Sequence, residues 1–193
     1  MLKLLCLTLS LFLCACEKAP CESPNRLEGT RPIDLTDEQR LAFPSNEVFE
    51  AMCVVDSAHG ALRNGEYWLW YPGGTQLKMM YEFDGGIKHG SYQLYYLSGQ
   101  IKEEGNYRYG LRHGRFKTWH EDGSLHIEGM YQDGKKHGDF VITSTSGFNV
   151  KKGMYFIGHK HGPWTNEYTA LNGQVTEVRS NYHYGQPRPT MTQ

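Results

Sequence analysis

The sequence predicts an all-β fold, an elongated antiparallel meander of about five hairpin repeats that are each 24 residues long. The dipeptide His-Gly recurs at a constant spacing of 24 residues. A second glycine stands four residues before the glycine of each dipeptide, and an aromatic residue stands three residues before that one. The 193 residues also include 22 Gly and 13 Tyr, a composition that suits strands separated by many tight turns.

The first 15 residues are predicted to be an export signal, outside the folded domain. Lys3 precedes an apolar run from Leu4 to Cys16, which is too short to span a bilayer. The residues Leu13-Cys14-Ala15-Cys16 resemble the signal box of bacterial lipoproteins, in which the last cysteine is acylated and becomes the mature N-terminus. Acyl chains on Cys16 would anchor the protein durably. We therefore expect a lipid-anchored protein of the bacterial cell envelope, at the outer membrane and facing the periplasm; the alternative is an ordinary signal peptide cleaved near Cys16.

Residues 16–58 form a predicted acidic tether. From Glu17 onward this stretch has nine acidic and four basic residues, and its first half is rich in proline. Thr36 starts a capping-box pattern, so a short helix is predicted that ends before Pro44. Once the signal is removed and Cys16 is acylated, Cys21 and Cys53 remain. They are either a disulfide pair or two unrelated thiols.

Residues 59–185 form the predicted repeat domain, and residues 186–193 form a C-terminal tail. Each repeat is predicted to contain two strands, the first with an aromatic residue two positions after the turn glycine. Gly105, Gly129 and Gly153 lie inside predicted strands, where the absent side chain lets a neighbouring ring lie over the backbone. The predicted turn residues are His89, Gly90, His113, Gly114, His137, Gly138, His161 and Gly162.

Residues 90–114, GSYQLYYLSGQIKEEGNYRYGLRHG, resemble the MORN repeat, in the variant found in bacterial proteins described as antitoxin-like. The resemblance covers roughly residues 60–185. It implies a binding or scaffolding surface, and the antitoxin description implies neutralisation of a partner protein. The fourth repeat carries Thr143 and Ser144 where earlier repeats carry aromatic residues or His, and the fifth carries insertions. These departures predict either a capping end of the array or a specialised binding edge.

Several function classes are disfavoured. The formal net charge is −1, which argues against a nucleic-acid binder. The sequence contains no P-loop, Gly-x-Ser-x-Gly, His-Glu-x-x-His or dinucleotide-binding motif, so we expect neither catalysis nor a cofactor. Histidines of successive repeats would lie roughly 9.6 Å apart, too far to share a metal ion. A turn role is expected for them instead, with either a positive φ or a bond to the bend. His159, His161 and His183 are the only group that merits a test for metal.

Two kinds of binding remain open. One is a protein-interaction module that docks a partner of unknown identity in the envelope. The other is recognition of a glycan or lipid head group by repeated aromatic rings. Three tryptophans fall on the strand face opposite the packed aromatic set, so at least one side of the sheet is expected to expose rings or to need a cover. The predicted binding surface consists of Trp68, Trp70, Tyr95, Trp119, Arg115 and Lys117.

Overall fold

A computed structural model describes residues 26–29, 50–58 and 60–188. In this part of the chain all regular structure is β, and fifteen strands form one antiparallel sheet, which confirms the predicted fold class. The export signal, Cys16, Cys21, the helix predicted from Thr36 and the last five residues lie outside the described residues. The strands are β1 (Arg26–Gly29), β2 (Glu50–Ser57), β3 (Gly60–Trp70), β4 (Leu77–Asp84), β5 (Ile87–Tyr95), β6 (Ile101–Arg108), β7 (Leu111–Arg112), β8 (Gly114–Trp119), β9 (Leu125–Gln132), β10 (Lys135–Lys136), β11 (Gly138–Thr143), β12 (Asn149–Phe156), β13 (His159–Thr169), β14 (Val175–His183) and β15 (Gln186–Arg188).

The sheet is a meander, because spatial order follows chain order. Each long strand pairs with the strand before it and the strand after it, while the short strands β7 and β10 pair with β6 and β9. Antiparallel pairing needs only short connections, and the repeat supplies one every twelve residues or so. Every unit therefore contacts mainly its neighbours, as in other repeat architectures.

The sheet begins earlier than predicted. Strands β1 and β2 both lie within the segment expected to be a tether, and β1 pairs with β2 over Arg26–Gly29. Strand β2 then pairs with β3 along most of its length. The repeat pattern of glycine and His-Gly does not extend into these two strands, so the spacing could not reveal them.

The return turns between repeats have two consecutive residues with positive φ. Ile157 has a φ of 50° and Gly158 a φ of 86°, and Tyr109, Asp133 and Tyr184 occupy the same first position before a glycine. Two such residues in a row are the signature of the type I′ turn, whose twist matches that of the flanking strands. The turn histidines themselves do not adopt a positive φ, which was one of the two turn roles expected for them; the glycine after each of them does.

Replacing Ile157 with asparagine is expected to raise the free energy of unfolding by about 1 kcal/mol. Ile157 is a β-branched residue in the left-handed region and is exposed, so little packing is lost. Asparagine tolerates this conformation better. Ile87→Asn is the matched control, because Ile87 is equally exposed and follows the equivalent turn in a strand. Urea denaturation would measure both, and a stabilised Ile87→Asn variant would contradict this explanation.

One face of the sheet, the aromatic face, carries the main core. It is defined by the aromatic residue of each first strand, of which Tyr92, Phe116, Phe140 and Trp164 are buried. The predicted role of the strand glycines is confirmed. A Cβ on Gly105 would meet Tyr92, one on Gly129 would meet Phe140, and one on Gly153 would meet Trp164. The rings thus lie flat over backbone that has no side chain in the way.

Two series of hydrogen bonds tie successive repeats together. The N–H of each return-turn glycine donates to a carbonyl one repeat earlier, as Gly110 does to Lys88 at 2.9 Å and Gly134 to Arg112 at 2.8 Å. At the opposite end of the hairpins, the Tyr96 hydroxyl donates to the Trp119 carbonyl at 2.8 Å. Both ends of each hairpin are therefore fixed to the next one along the array.

Candidate interaction surface

The rings of the aromatic face are covered by basic side chains of the chain itself. The Lys88 ammonium lies 3.5 Å from the centroid of the Tyr81 ring, and the Lys160 ammonium lies 4.3 Å from the Trp164 ring. Such cation–π contacts stabilise by about 0.5–1 kcal/mol at exposed sites. The same arrangement recurs along the array with Arg63 over Tyr67, Arg112 over Tyr131 and Lys136 over Tyr155.

The position of these cations over the rings was not predicted, although the sequence contains a periodic pattern that could have revealed it. Arg63, Lys88, Arg112, Lys136 and Lys160 each stand immediately before the His-Gly or Asn-Gly of a repeat. Burial, then the charges of Arg112 and Arg63, lowers the pKa of the Lys88 ammonium. Because ammonium and guanidinium groups already lie over the rings, this face is poorly suited to stack on a sugar or surround a quaternary ammonium.

A polar network crosses the aromatic face at its centre. Glu103 Oε1 accepts a hydrogen bond from the Tyr92 hydroxyl at 2.6 Å and lies 2.8 Å from Arg112 Nη2. Burial, together with the hydrogen bond to Glu103, raises the pKa of Tyr92. The three groups satisfy one another, and this internal pairing indicates a structural role.

The opposite face, here called the polar face, is defined by register partners Gln93, Glu104, Lys117 and Glu128. A groove of about 370 Å³ crosses it over β5, β6 and β8. A second groove of about 260 Å³ continues over β9 and β11, and Arg115 lines both. The walls combine opposite charges and amides, contributed by Gln93, Glu104, Asn106, Arg115, Lys117 and Asp139.

The ion pair that lies between the two grooves is loose. Lys117 Nζ lies 3.7 Å from Glu128 Oε1, and both side chains are about two-fifths exposed. An ion pair of this length and exposure contributes little to stability. Arg115 is exposed on the same strand, two residues away. These groups can therefore turn to a ligand at small cost.

The six residues of the predicted binding surface have different environments. Arg115 and Lys117 line the first groove, while Tyr95 and Trp119 are half-buried, with the Tyr95 hydroxyl donating to Gln93 at 2.6 Å. Trp68 and Trp70 were expected to be exposed, and that was wrong: they are 8% and 7% exposed. They pack with Ala51 of β2 and with the partly buried Leu77 and Met80.

The histidines contact the following turn. The His89 ring lies 5.4 Å from the Tyr109 ring, and His113 Nδ1 lies 3.3 Å from Asp133 Oδ1. Within the described part of the chain, no group of three His, Cys, Asp or Glu side chains could hold a metal ion. The rings of His161 and His183 do lie close, with centroids 5.3 Å apart and planes tilted by 44°, but His159 does not join them in such a group.

Among residues 26–29, 50–58 and 60–188, no helix has the length and apolar character needed to cross a membrane. Neither the protein-family models nor the curated proteins compared with this chain gave a match. The MORN-like character of the repeat therefore stays a prediction from the residues quoted above.

Proposed function

We propose that this protein is a non-catalytic, lipid-anchored repeat protein of the cell envelope, and that its polar face docks a partner protein. The observation that carries the proposal is the pair of adjoining grooves between Met80 and Val141, lined by loosely paired charges of both signs. Mixed charges with exposed arginine suit the rim and anchors of a protein interface. Neutralisation of a toxin acting in the envelope would be one form of such docking.

A protein partner fits this surface better than a glycan or lipid head group. The rings that could stack on a sugar lie mostly on the aromatic face, where the chain's own cations lie over them. On the polar face, Trp68 and Trp70 are buried, which leaves fewer open rings than a glycan platform needs. Glycan binding is therefore a separate outcome of the test below.

The double substitution Arg115→Glu with Lys117→Glu is expected to reduce recovery of the partner from detergent extracts at least about tenfold. Both side chains line the first groove, so reversing their charges would oppose a complementary surface. The measurement is a pull-down with the full chain followed by mass spectrometry of proteins that the wild-type chain enriches.

The matched control is Lys135→Glu with Lys151→Glu, which changes the net charge equally at exposed residues outside both grooves. Equal loss in the control would point to net charge and overturn the docking surface. A different result would favour a glycan site elsewhere on the protein. In that case the wild-type chain binds purified cell-wall polymer, and the double variant Arg115→Glu with Lys117→Glu binds it equally well.

Cys16→Ser is expected to abolish incorporation of a labelled fatty acid and to release the protein from the membrane fraction. The hydroxyl cannot take the place of the acylated thiol. Cys14→Ser is the control, because Cys14 precedes the predicted cleavage position and would leave with the signal. Label retained in the Cys16→Ser variant would show that the anchor lies elsewhere.

A further inference from the structure

A repeated contact joins successive hairpins at the edge of the sheet opposite the return turns. In the first two copies a tyrosine hydroxyl donates to a carbonyl about one repeat later, at 2.9 Å for Tyr71 and 2.8 Å for Tyr96. In the third copy His120 stands in the tyrosine position, and its Nε2 lies 3.0 Å from the Thr143 carbonyl. The three acceptor residues are spaced by 24 positions, so the contacts are copies of one another.

A basic side chain lies over each of these rings, and it also differs in the third copy. The ammonium groups of Lys78 and Lys102 lie 5.6 Å and 5.4 Å from the centroids of the two tyrosine rings. The next residue of this series, 24 positions further on, is His126, whose ring centroid lies 4.2 Å from that of His120. Lysine and tyrosine keep their charge states between pH 5 and 8, whereas a pair of histidines does not.

The hydrogen bonds of His120 tolerate one added proton. Because a carbonyl only accepts, Nε2 donates to Thr143, and Nδ1 lies 3.2 Å from the Thr145 hydroxyl. In the neutral ring Nδ1 accepts from this hydroxyl. In the charged ring Nδ1 donates to it, since a hydroxyl can do either. His120 can therefore be neutral or charged without losing these contacts.

A second proton, on His126, is opposed by the first. Two charges at this ring separation repel each other. Burial, followed by the charge of His120, lowers the pKa of His126. Hydrogen bonds from Ser124 and, to a smaller extent, the charge of His120 lower the pKa of Asp122, so this carboxylate attracts the first proton to His120. The other groups beside the pair are Glu121 in the turn, Lys117 of β8, Glu128 of β9, and the uncharged Thr143 and Thr145.

We propose that His120 and His126 form a pH-sensitive latch, which is closed while at most one ring is charged and weakened when both are. In an open junction each imidazole has its ordinary pKa of about 6.5. Below that pH the closed junction binds fewer protons than the open one, so acidification favours opening, and above it the latch keeps its full strength. The junctions built from tyrosine and lysine do not titrate in this range.

The latch lies beside the second groove of the polar face. Thr143 is the last residue of β11, two positions after Val141, and His126 is two positions before Glu128 on β9. Val141 and Glu128 both line that groove. Opening the latch would loosen one end of the groove and weaken docking under mildly acidic conditions. This consequence rests on the proposed function, whereas the opening itself can be measured without a partner.

Hydrogen exchange of the full chain, resolved to individual amides, measures the latch directly. The Ser144 amide donates to the Asn149 carbonyl at 2.9 Å and follows the acceptor of the histidine junction. The Tyr96 amide donates to the Gln100 carbonyl at 2.9 Å and follows the acceptor of the first tyrosine junction. From about pH 7.5 to about pH 5, the protection factor of Ser144 is expected to fall at least about threefold, while that of Tyr96 stays constant.

The double variant His120→Tyr with His126→Lys reproduces the first two junctions and is the matched control. Its Ser144 protection is expected to be independent of pH over the same range. Constant protection of Ser144 in the wild type, an equal loss at Tyr96, or a double variant that responds as the wild type does would overturn the proposal. The comparison of the two amides in the wild type does not depend on the variant. Failure to recover a partner would count against the proposed function alone.

Discussion

Replacing Gly153 with alanine is expected to lower the free energy of unfolding by about 3 kcal/mol. A Cβ at this position would overlap Cδ2, Cε2 and Cγ of the Trp164 ring. The ring cannot step aside, because it is buried and its Nε1 donates a hydrogen bond to the Met154 carbonyl at 3.1 Å. Gly153 has no positive φ, so the loss would arise from overlap alone. Chemical denaturation of the two proteins measures the difference.

A double-mutant cycle with Trp164→Ala separates overlap from other effects of the methyl group. When the indole is absent, Gly153→Ala is expected to cost less than about 0.5 kcal/mol, since the three atoms that would lie nearest the new Cβ all belong to that ring. An unchanged cost in the Trp164→Ala background would contradict the proposed contact between Gly153 and the ring.

The same reasoning ranks the equivalent glycines. A Cβ on Gly129 would lie 2.6 Å from Phe140 Cε1, and one on Gly105 would lie 2.9 Å from Tyr92 Cε1. The expected cost of alanine therefore decreases from Gly153 to Gly129 to Gly105. Thermal unfolding of the three single variants would test this order.

The repeat made the aromatic face predictable from sequence. Constant spacing identified the turns, and alternation within the first strand placed Tyr92, Phe116, Phe140 and Trp164 on one face. The strand glycines followed from the same phase, because only a residue without a side chain fits under a ring. These features are periodic, so each copy supports the interpretation of the others.

The polar face was harder to predict. Alternation correctly put Trp68 and Trp70 opposite the aromatic set, yet their burial depends on Ala51, in a strand outside the repeat pattern. The grooves depend on which cross-strand charges pair closely, as with Lys117 and Glu128. Strand alternation alone does not fix such distances, because long side chains choose among several rotamers.

Replacing Arg112 with methionine is expected to lower the free energy of unfolding by about 2 kcal/mol. Glu103 is only 15% exposed, and without the guanidinium the Tyr92 hydroxyl would be the remaining partner of its carboxylate in this network. Methionine keeps an unbranched apolar side chain but removes both the charge and the guanidinium that lies over the Tyr92 and Tyr131 rings, so a further variant is needed to isolate the charge. Lys152→Met is the control, because Lys152 and Glu167 are 49% and 33% exposed, and its expected cost is less than about 1 kcal/mol.

Adding Glu103→Gln to Arg112→Met removes the unpaired charge and is expected to recover part of the stability, as measured by denaturation. If the double variant is less stable than Arg112→Met alone, the loss does not come from an uncompensated carboxylate, and the guanidinium stabilises the sheet chiefly through its contacts with the rings.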